Sequence, residues 1–309
     1  MSESMDAAAD AIDLWLPDLK RFAPGHPTLA LLARADRLTD GPRGYLAGAA
    51  QRFGLQENLP AGALTRQLMA GDAGDANWLS ADPAWVQPDL NGARLLACGQ
   101  MQLSAKDADE LADALKPLFA EADMALEVSS PDHWHVRLPA DTAVPPFAAP
   151  EHALGEDLYY HLPQGEEGRR WRILLNDVQV VLHQHPINVE RRQRGMAPVN
   201  HLWLWGAGLL PGVVTTSLKQ VISDDVLLRA LAAKAGTPAM ARDVSAVSAA
   251  EPGTLVDLQD LPVDDIAMQW TPALLELAKR KPLVLAFASG ERWLHRPWHR
   301  LRFWRGNGR

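Results

Sequence analysis

Three consecutive segments decide the fold class: Leu255-Val-Asp-Leu258, then Thr271-Pro-Ala-Leu-Leu-Glu-Leu-Ala-Lys-Arg280, then Pro282-Leu-Val-Leu-Ala-Phe287. The first and third are short apolar runs, the size of buried strands, and the Ala/Leu-rich middle is long enough for a helix. That β-α-β order implies a partly parallel sheet with helices on its faces. Working outward, Ile12-Asp-Leu-Trp-Leu-Pro17 is another strand-sized run, and Trp134-His-Val-Arg-Leu138 alternates as a half-buried strand does. His201-Leu-Trp-Leu-Trp205-Gly-Ala-Gly208 reads as a buried strand that ends in a glycine turn.

Helices are expected over about 28–37, 44–53 and 271–280, over 104–118 behind a Ser104/Asp107 capping pair, and over 223–235 behind Ser223. In 168–185 the spacing of Trp171, Leu174, Leu175, Val178 and Leu182 is helical, although Val178-Gln-Val-Val-Leu182 alone fits a strand equally. Residues 71–83, crowded with acids and glycines, predict a loop, as do 237–253.

A chain of 309 residues is about two domains' worth on a prior of roughly 150 residues each. At 47% hydrophobic and 22% charged residues, with a mean hydropathy of −0.15, it is not a wholly disordered chain. The net charge of −8 argues against a generally basic nucleic-acid or anionic-membrane binder. Cys98 is the single cysteine, so no intramolecular disulfide or cysteine-rich zinc site can form, and a reducing compartment is expected. The acidic start has no basic region before its apolar run, and no uncharged apolar window reaches about 18 residues. A cytoplasmic protein without a membrane span is therefore expected. Tryptophan is over-used, 11 against 6 Phe and 3 Tyr, which predicts half-buried pocket walls or an interface.

Three places carry candidate chemistry. Asp72, Asp75, Asp82 and Asp89, with Asn77 and Asn91, are hard oxygen ligands in a glycine-containing loop. They suit Mg²⁺ or Mn²⁺, or equally turns in which each side chain bonds its own backbone. His183 and His185, if on a strand, share a face and become metal-ligand candidates with Asp72 and Asp75. Beside them Arg191, Arg192 and Arg194, flanked by Asn188 and Asn200, suit a phosphate or carboxylate, or form a solvated charged face. The tail interleaves Arg292, Arg296, Arg300, Arg302 and Arg305 with Trp293, Trp298, Phe303 and Trp304. This is a stacking pattern for single strands or a protein partner, and over 300–305 also the pattern of an edge strand blocked by arginine. No G-x-S-x-G, P-loop or G-x-G-x-x-G occurs.

In combination, Ser80–Gly99 (SADPAWVQPDLNGARLLACG), His185–Gly208 (HPINVERRQRGMAPVNHLWLWGAG) and Leu283–Arg305 (LVLAFASGERWLHRPWHRLRFWR) resemble the RpfE-type regulatory proteins. Members of that family are often labelled phosphoglycerate mutase. More distantly, the chain resembles the archaeal-type cofactor-independent phosphoglycerate mutases of the alkaline phosphatase superfamily. The resemblance implies an alkaline-phosphatase-like, mostly parallel sheet flanked by helices, with a smaller inserted α+β lid. The main domain is then 1–92 with 201–309, and the lid 93–200.

The resemblance also places Arg191 or Arg192, Gly195 and Asn200, with Asn188, beside a phosphorylated small acid. The mutases need a Ser or Thr before an Asp, and two metals held by Asp and His. Here glycine (Gly71 or Gly74) precedes each candidate Asp, and Ser289-Gly-Glu-Arg292 stands where the mutases have Gly-Asp-His. The implied function is a catalytically degenerate, cytoplasmic regulatory or interaction protein without a cofactor, its Trp/Arg-rich tail available to a protein partner. The alternative is an active mutase or phosphatase with two divalent metals, Mn²⁺ or Mg²⁺, on displaced ligands among Asp18, Asp72, Asp75, Asp82, His183 and His185.

Overall fold

A computed structural model describes residues 10–56, 58–89 and 92–302. The chain divides into two compact units, Met1–Asn58 with Val213–Arg309, and Leu59–Gly212. The divisions thus fall near residues 58 and 212 rather than 92 and 200. A cut after residue 92 would part the Gly92–Cys98 strand from Ala84–Asp89, the segment with which it pairs.

The discontinuous unit holds a seven-stranded sheet. Its strands, numbered in chain order through the whole molecule, are β1 (Ile12–Leu16), β2 (Asp36–Arg37), β8 (Gln220–Ile222), β9 (Ala239–Met240), β10 (Thr254–Asp257), β11 (Leu283–Phe287) and β12 (Arg292–His295). They lie in the order β2-β12-β11-β1-β10-β8-β9. β11, β1, β10, β8 and β9 run parallel, and β12 and β2 add an antiparallel edge. The expected β-α-β segment is β10, the helix Thr271–Ala278 and β11. β1 side chains alternate in destination. Ile12, Leu14 and Leu16 enter a core with Trp270, Leu274, Leu277 and Phe287, while Asp13 and Trp15 meet the helix Tyr45–Arg52. At Gly48 of that helix a Cβ would stand 2.4 Å from the Trp15 ring, so only glycine lets the ring seat there.

The inserted unit is built on an antiparallel sheet of β3 (Asn77–Asp89), β4 (Gly92–Cys98), β5 (Ala125–Ser130), β6 (His133–Leu138) and β7 (His201–Gly208). The order is β4-β3-β6-β5, and β7 also pairs with β3. One face packs on the helices Ala105–Ala120 and Gly165–Gln184 through Leu111, Leu115, Trp134, Val136, Trp171 and Val178. Each such side chain contributes roughly 1.5–3 kcal/mol by leaving water.

Several expectations change here. Residues 77–83 are strand, not loop, because thirteen-residue β3 has partners in β4, β6 and β7 whose pairing overrides local turn propensity. The turn signal holds only up to residue 76, beginning with Gly71 in the left-handed conformation that ends the helix Ala61–Ala70. Val178–Leu182 is helical. Asp225, not Ser223, caps the helix Val226–Lys234. The segment expected as helix at 28–37 is a 3₁₀ turn, Pro27–Leu31, followed by β2. The loop at 237–253 contains β9 and the short helix Val244–Ser248. The nearest strand to the tail, β12, lies inside the sheet between β11 and β2 rather than at its edge, while 300–301 close a 3₁₀ turn and Phe303, Trp304 and Arg305 lie outside the described residues.

Most tryptophans belong to the core: Trp15, Trp78, Trp134, Trp171, Trp203 and Trp270 are all buried. Backbone carbonyls accept the indole N–H of Trp78, Trp134, Trp171 and Trp203, so burial leaves those donors paired. Among the described residues no helix is long and apolar enough to cross a membrane.

Candidate functional site

In an open parallel sheet a ligand crevice forms outside the carboxyl ends of two neighbouring strands whose connections leave in opposite directions. Here those strands are β8 and β10: the chain runs from β8 outward to β9, and from β10 back past β1 to β11. Asp257 ends β10, and Ser223 follows β8 directly. The Ser223 hydroxyl donates to Asp257 Oδ2 at 2.7 Å, and the Gln259 amide donates to Oδ1 at 3.2 Å. Ser223 Oγ in turn accepts the Asp225 amide at 3.0 Å. Asp225 Oδ1 caps the following helix through the Leu228 amide at 2.8 Å and also accepts the Tyr45 hydroxyl. Tyr45 stacks on Trp15 with ring centroids 5.6 Å apart.

Arg242, nearly buried, joins Asp260 at 2.9 Å and Asp224 at 3.4 Å. Asp13 forms a two-pronged pair with Arg52, at 2.8 and 3.2 Å. Burial, reinforced by the carboxylates of Asp225 and Asp260, pushes the Asp257 carboxyl up to about 7, against the opposing pull of Ser223 and Arg242.

The metal candidates read from the sequence do not converge. Both oxygens of Asp72 are held by the Arg66 guanidinium at 2.6 Å, a bond that lowers the Asp72 carboxyl below its ordinary range. Asp75 is exposed. His183 lies exposed in the last turn of one helix, and His185 Nδ1 accepts the Ile187 amide as the cap of the next. The strand that would have put both on one face is absent from these residues. Asp18 caps a 3₁₀ turn and Asp89 pairs with Arg94. Asn91 lies outside the described residues. Among the described residues no three His, Cys, Asp or Glu groups form a set able to hold a metal ion. The two-metal chemistry implied by the resemblance does not fit these donors.

The anion candidates are spent on the backbone. Arg191, buried, donates to the Ala197 carbonyl at 2.8 Å and the Met101 carbonyl at 2.6 Å. Asn188 donates to Leu182 and Val199 and accepts the Val199 amide, so it clamps the helix Pro186–Gln193 to the approach of β7. Asn200 makes the same paired contact with the backbone of Val86. Gly195 takes the left-handed turn after that helix, and Arg192 and Arg194 are exposed. In the tail, Arg302, Arg296 and His299 surround Asp36 at 2.6, 3.5 and 3.4 Å. Arg302 also covers the Trp298 ring, and Arg37 covers that of Trp293.

Sequence reasoning missed a polar seam on the second face of the antiparallel sheet. Arg66 Nη1 donates to Ser129 Oγ at 2.9 Å, so the Ser129 proton points to His135 Nδ1 at 2.7 Å. The Thr65 hydroxyl donates to the Ala61 carbonyl at 2.7 Å and accepts from His135 Nε2 at 2.8 Å. These directions fix a neutral His135 protonated at Nε2. Burial lowers its imidazole to about 4, despite the opposing carboxylate of Asp82. Buried Asp82 accepts Trp205 Nε1–H at 2.8 Å and meets His133 Nδ1 at 3.2 Å. The signal was the alternation of His133, His135 and Arg137 with Trp134, Val136 and Leu138: a strand whose second face is polar, not merely wet.

The fold is therefore a mixed α/β one with a mostly parallel sheet and a separate antiparallel sheet, and part of the chain is phosphoglycerate-mutase-like. No family model matches the chain. The 2,3-bisphosphoglycerate-independent phosphoglycerate mutase of Methanosarcina mazei is 37% identical over 62 residues, 20% of this chain and 16% of that enzyme. A probable enzyme of the same name from Geobacter sulfurreducens is 36% identical over 100 residues, 31% of this chain and 24% of the relative. The matched stretches thus span less than a third of these relatives' length. Among solved structures, the PH0037 protein from Pyrococcus horikoshii superposes with a TM-score of 0.52 at 12% identity, over 93% of this chain and 87% of that one. This likeness concerns the fold alone.

Proposed function

We propose that this chain is a catalytically degenerate relative of the cofactor-independent phosphoglycerate mutases, a cytoplasmic protein that acts by binding in the manner of the RpfE-type regulators it resembles. One observation carries the reading. At the carboxyl edge of the parallel sheet, the place where such a fold binds its ligand, Asp257, Asp225, Asp224 and Asp260 already have serine, tyrosine or arginine donors from the chain itself. A carboxylate so engaged must give up those bonds before it ligates a cation, and parting Arg242 from Asp260 and Asp224 would leave its charge unpaired.

Equilibrium dialysis against Mn²⁺ tests this directly. The expected result is less than one Mn²⁺ bound per chain at micromolar free metal. Two tightly bound ions, lost on Asp257→Asn, would restore the reading of an active mutase with displaced ligands.

A further inference from the structure

We propose that Ser130, His133 and Asp82 form an acyl-transfer site, built wholly within the inserted unit, that takes carboxylic esters carrying no anionic group. β5 and β6 are joined by the two-residue turn Pro131-Asp132, so Ser130 and His133 flank it as direct cross-strand partners. Residues so opposed have Cβ atoms about 5 Å apart. Between Val128 and Ser130 the pairing takes in one extra residue on β5, the two-against-one count of a bulge. Consecutive serines thereby serve two histidines: Ser129 bonds His135, and Ser130 stands opposite His133.

Behind His133, Asp82 Oδ1 accepts from its Nδ1 at 3.2 Å, and Asp82 Oδ2 accepts the Trp205 indole N–H at 2.8 Å. The Asp82 side chain is 7% exposed and that of His133 30%, so the carboxylate is fixed inside while the imidazole reaches the surface. With the Nδ1 proton directed at Asp82, Nε2 is the basic atom of the ring. Ser130 and His133 line one cleft of about 470 Å³, together with Gly99, Gln102 and Asp132. Gly99, at φ +64°, lays bare backbone against the pair: a Cβ there would stand 3.4 Å from His133 Cε1 and 3.6 Å from Asp82 Cγ. Gln102 holds a left-handed backbone at φ +55°, tied by Asp132, whose two oxygens accept the Met101 and Gln102 amides. A non-glycine residue kept so beside a cleft is strain that the surrounding structure maintains.

A hydroxyl, an imidazole and a buried carboxylate in that order are the parts of nucleophilic acyl transfer. Ser130 Oγ attacks the ester carbonyl carbon while His133 Nε2 takes the hydroxyl proton. The C–O bond to the alcohol breaks, and the imidazolium returns the proton to the departing alkoxide. Water, deprotonated by Nε2 in its turn, attacks the acyl group, releases the acid and restores the serine. Among the described residues that line the cleft there is no arginine or lysine, so a phosphate or carboxylate finds no charge partner there and a neutral ester needs none. The activity is thus distinct in chemistry from phosphoryl transfer and stands apart from its loss.

Labelling of the full chain with a fluorophosphonate, located by peptide mass spectrometry, and hydrolysis of p-nitrophenyl butyrate test the proposal together. The wild type should take one label per chain, on Ser130, a result that needs no variant to read. Ser130→Ala should abolish label and turnover, and His133→Gln should slow both at least about a hundredfold. Both side chains are half-buried, and the melting temperature reports whether each variant keeps the fold. Asp82 acts through His133 and is a positioning residue. Asp82→Asn should lower the pH of half-maximal turnover, because the imidazolium loses its counter-charge. No label on the wild type, a label on another residue, or turnover that folded Ser130→Ala or His133→Gln leaves intact would overturn the proposal.

Discussion

Asp257→Asn should gain about 4 kcal/mol of stability relative to the wild type as the pH is raised from 4 to 8. The Asp257 carboxyl stands at about 7 in the folded chain against a reference of 3.8. The native state therefore holds this proton more tightly than the unfolded chain does. Its contribution is fully present below the unfolded value and is lost as the pH rises through about 7. Asparagine has nothing to lose over that range. It keeps an oxygen for the Ser223 hydroxyl but presents an N–H toward the Gln259 amide, which adds a penalty that does not vary with pH. Urea denaturation of both proteins across the range measures the difference. Parallel profiles for wild type and variant would mean that Asp257 stays ionised, held by Ser223 and Arg242.

The second large effect has the opposite sign. His201 is buried, its Nδ1–H donates to the Leu202 carbonyl at 2.6 Å, and burial lowers its imidazole from 6.5 to about 4. The unfolded chain takes up this proton first, so stability should fall by about 3 kcal/mol as the pH drops from 6.5 through 4. His135, lowered to about 4 in its relay, should add a loss of similar size over the same window. His201→Asn keeps an N–H donor at the place of Nδ1 without a titrating ring. Its stability should therefore fall less on acidification than the wild type's, by about 3 kcal/mol. An unchanged acid profile would show that water reaches the imidazole.

How much of this was legible follows from where the determinants lie along the chain. The parallel sheet was readable because each of its longer strands is a local apolar run, as in Leu283–Phe287, and a helix of clear composition separates β10 from β11. β3 was not, because Pro83, Pro88, Asp82 and Asn77 argue for turns, and only pairing with strands more than a hundred residues away in the case of β7 makes them extended.

The partners of the candidate site residues were hidden from the sequence for a related reason. Arg191, Asn188 and Asn200 have the composition of an anion pocket, but their partners are backbone carbonyls and amides, which a side-chain pattern cannot display. Asp72 reads from the sequence as a metal ligand or a turn former, whereas Arg66, one helical turn and a loop earlier, holds both of its oxygens. Ser223 and Asp257 are 34 positions apart and become neighbours only when β8 and β10 pair.

The central claim is that the carboxylates at the head of the parallel sheet serve the chain's own donors and no longer phosphoryl transfer. The most direct measurement is interconversion of 3- and 2-phosphoglycerate by the purified full-length chain with Mn²⁺ present, followed by NMR. The account predicts no conversion above that of the buffer. Turnover that requires Mn²⁺ and disappears in both Asp257→Asn and Ser223→Ala would contradict it.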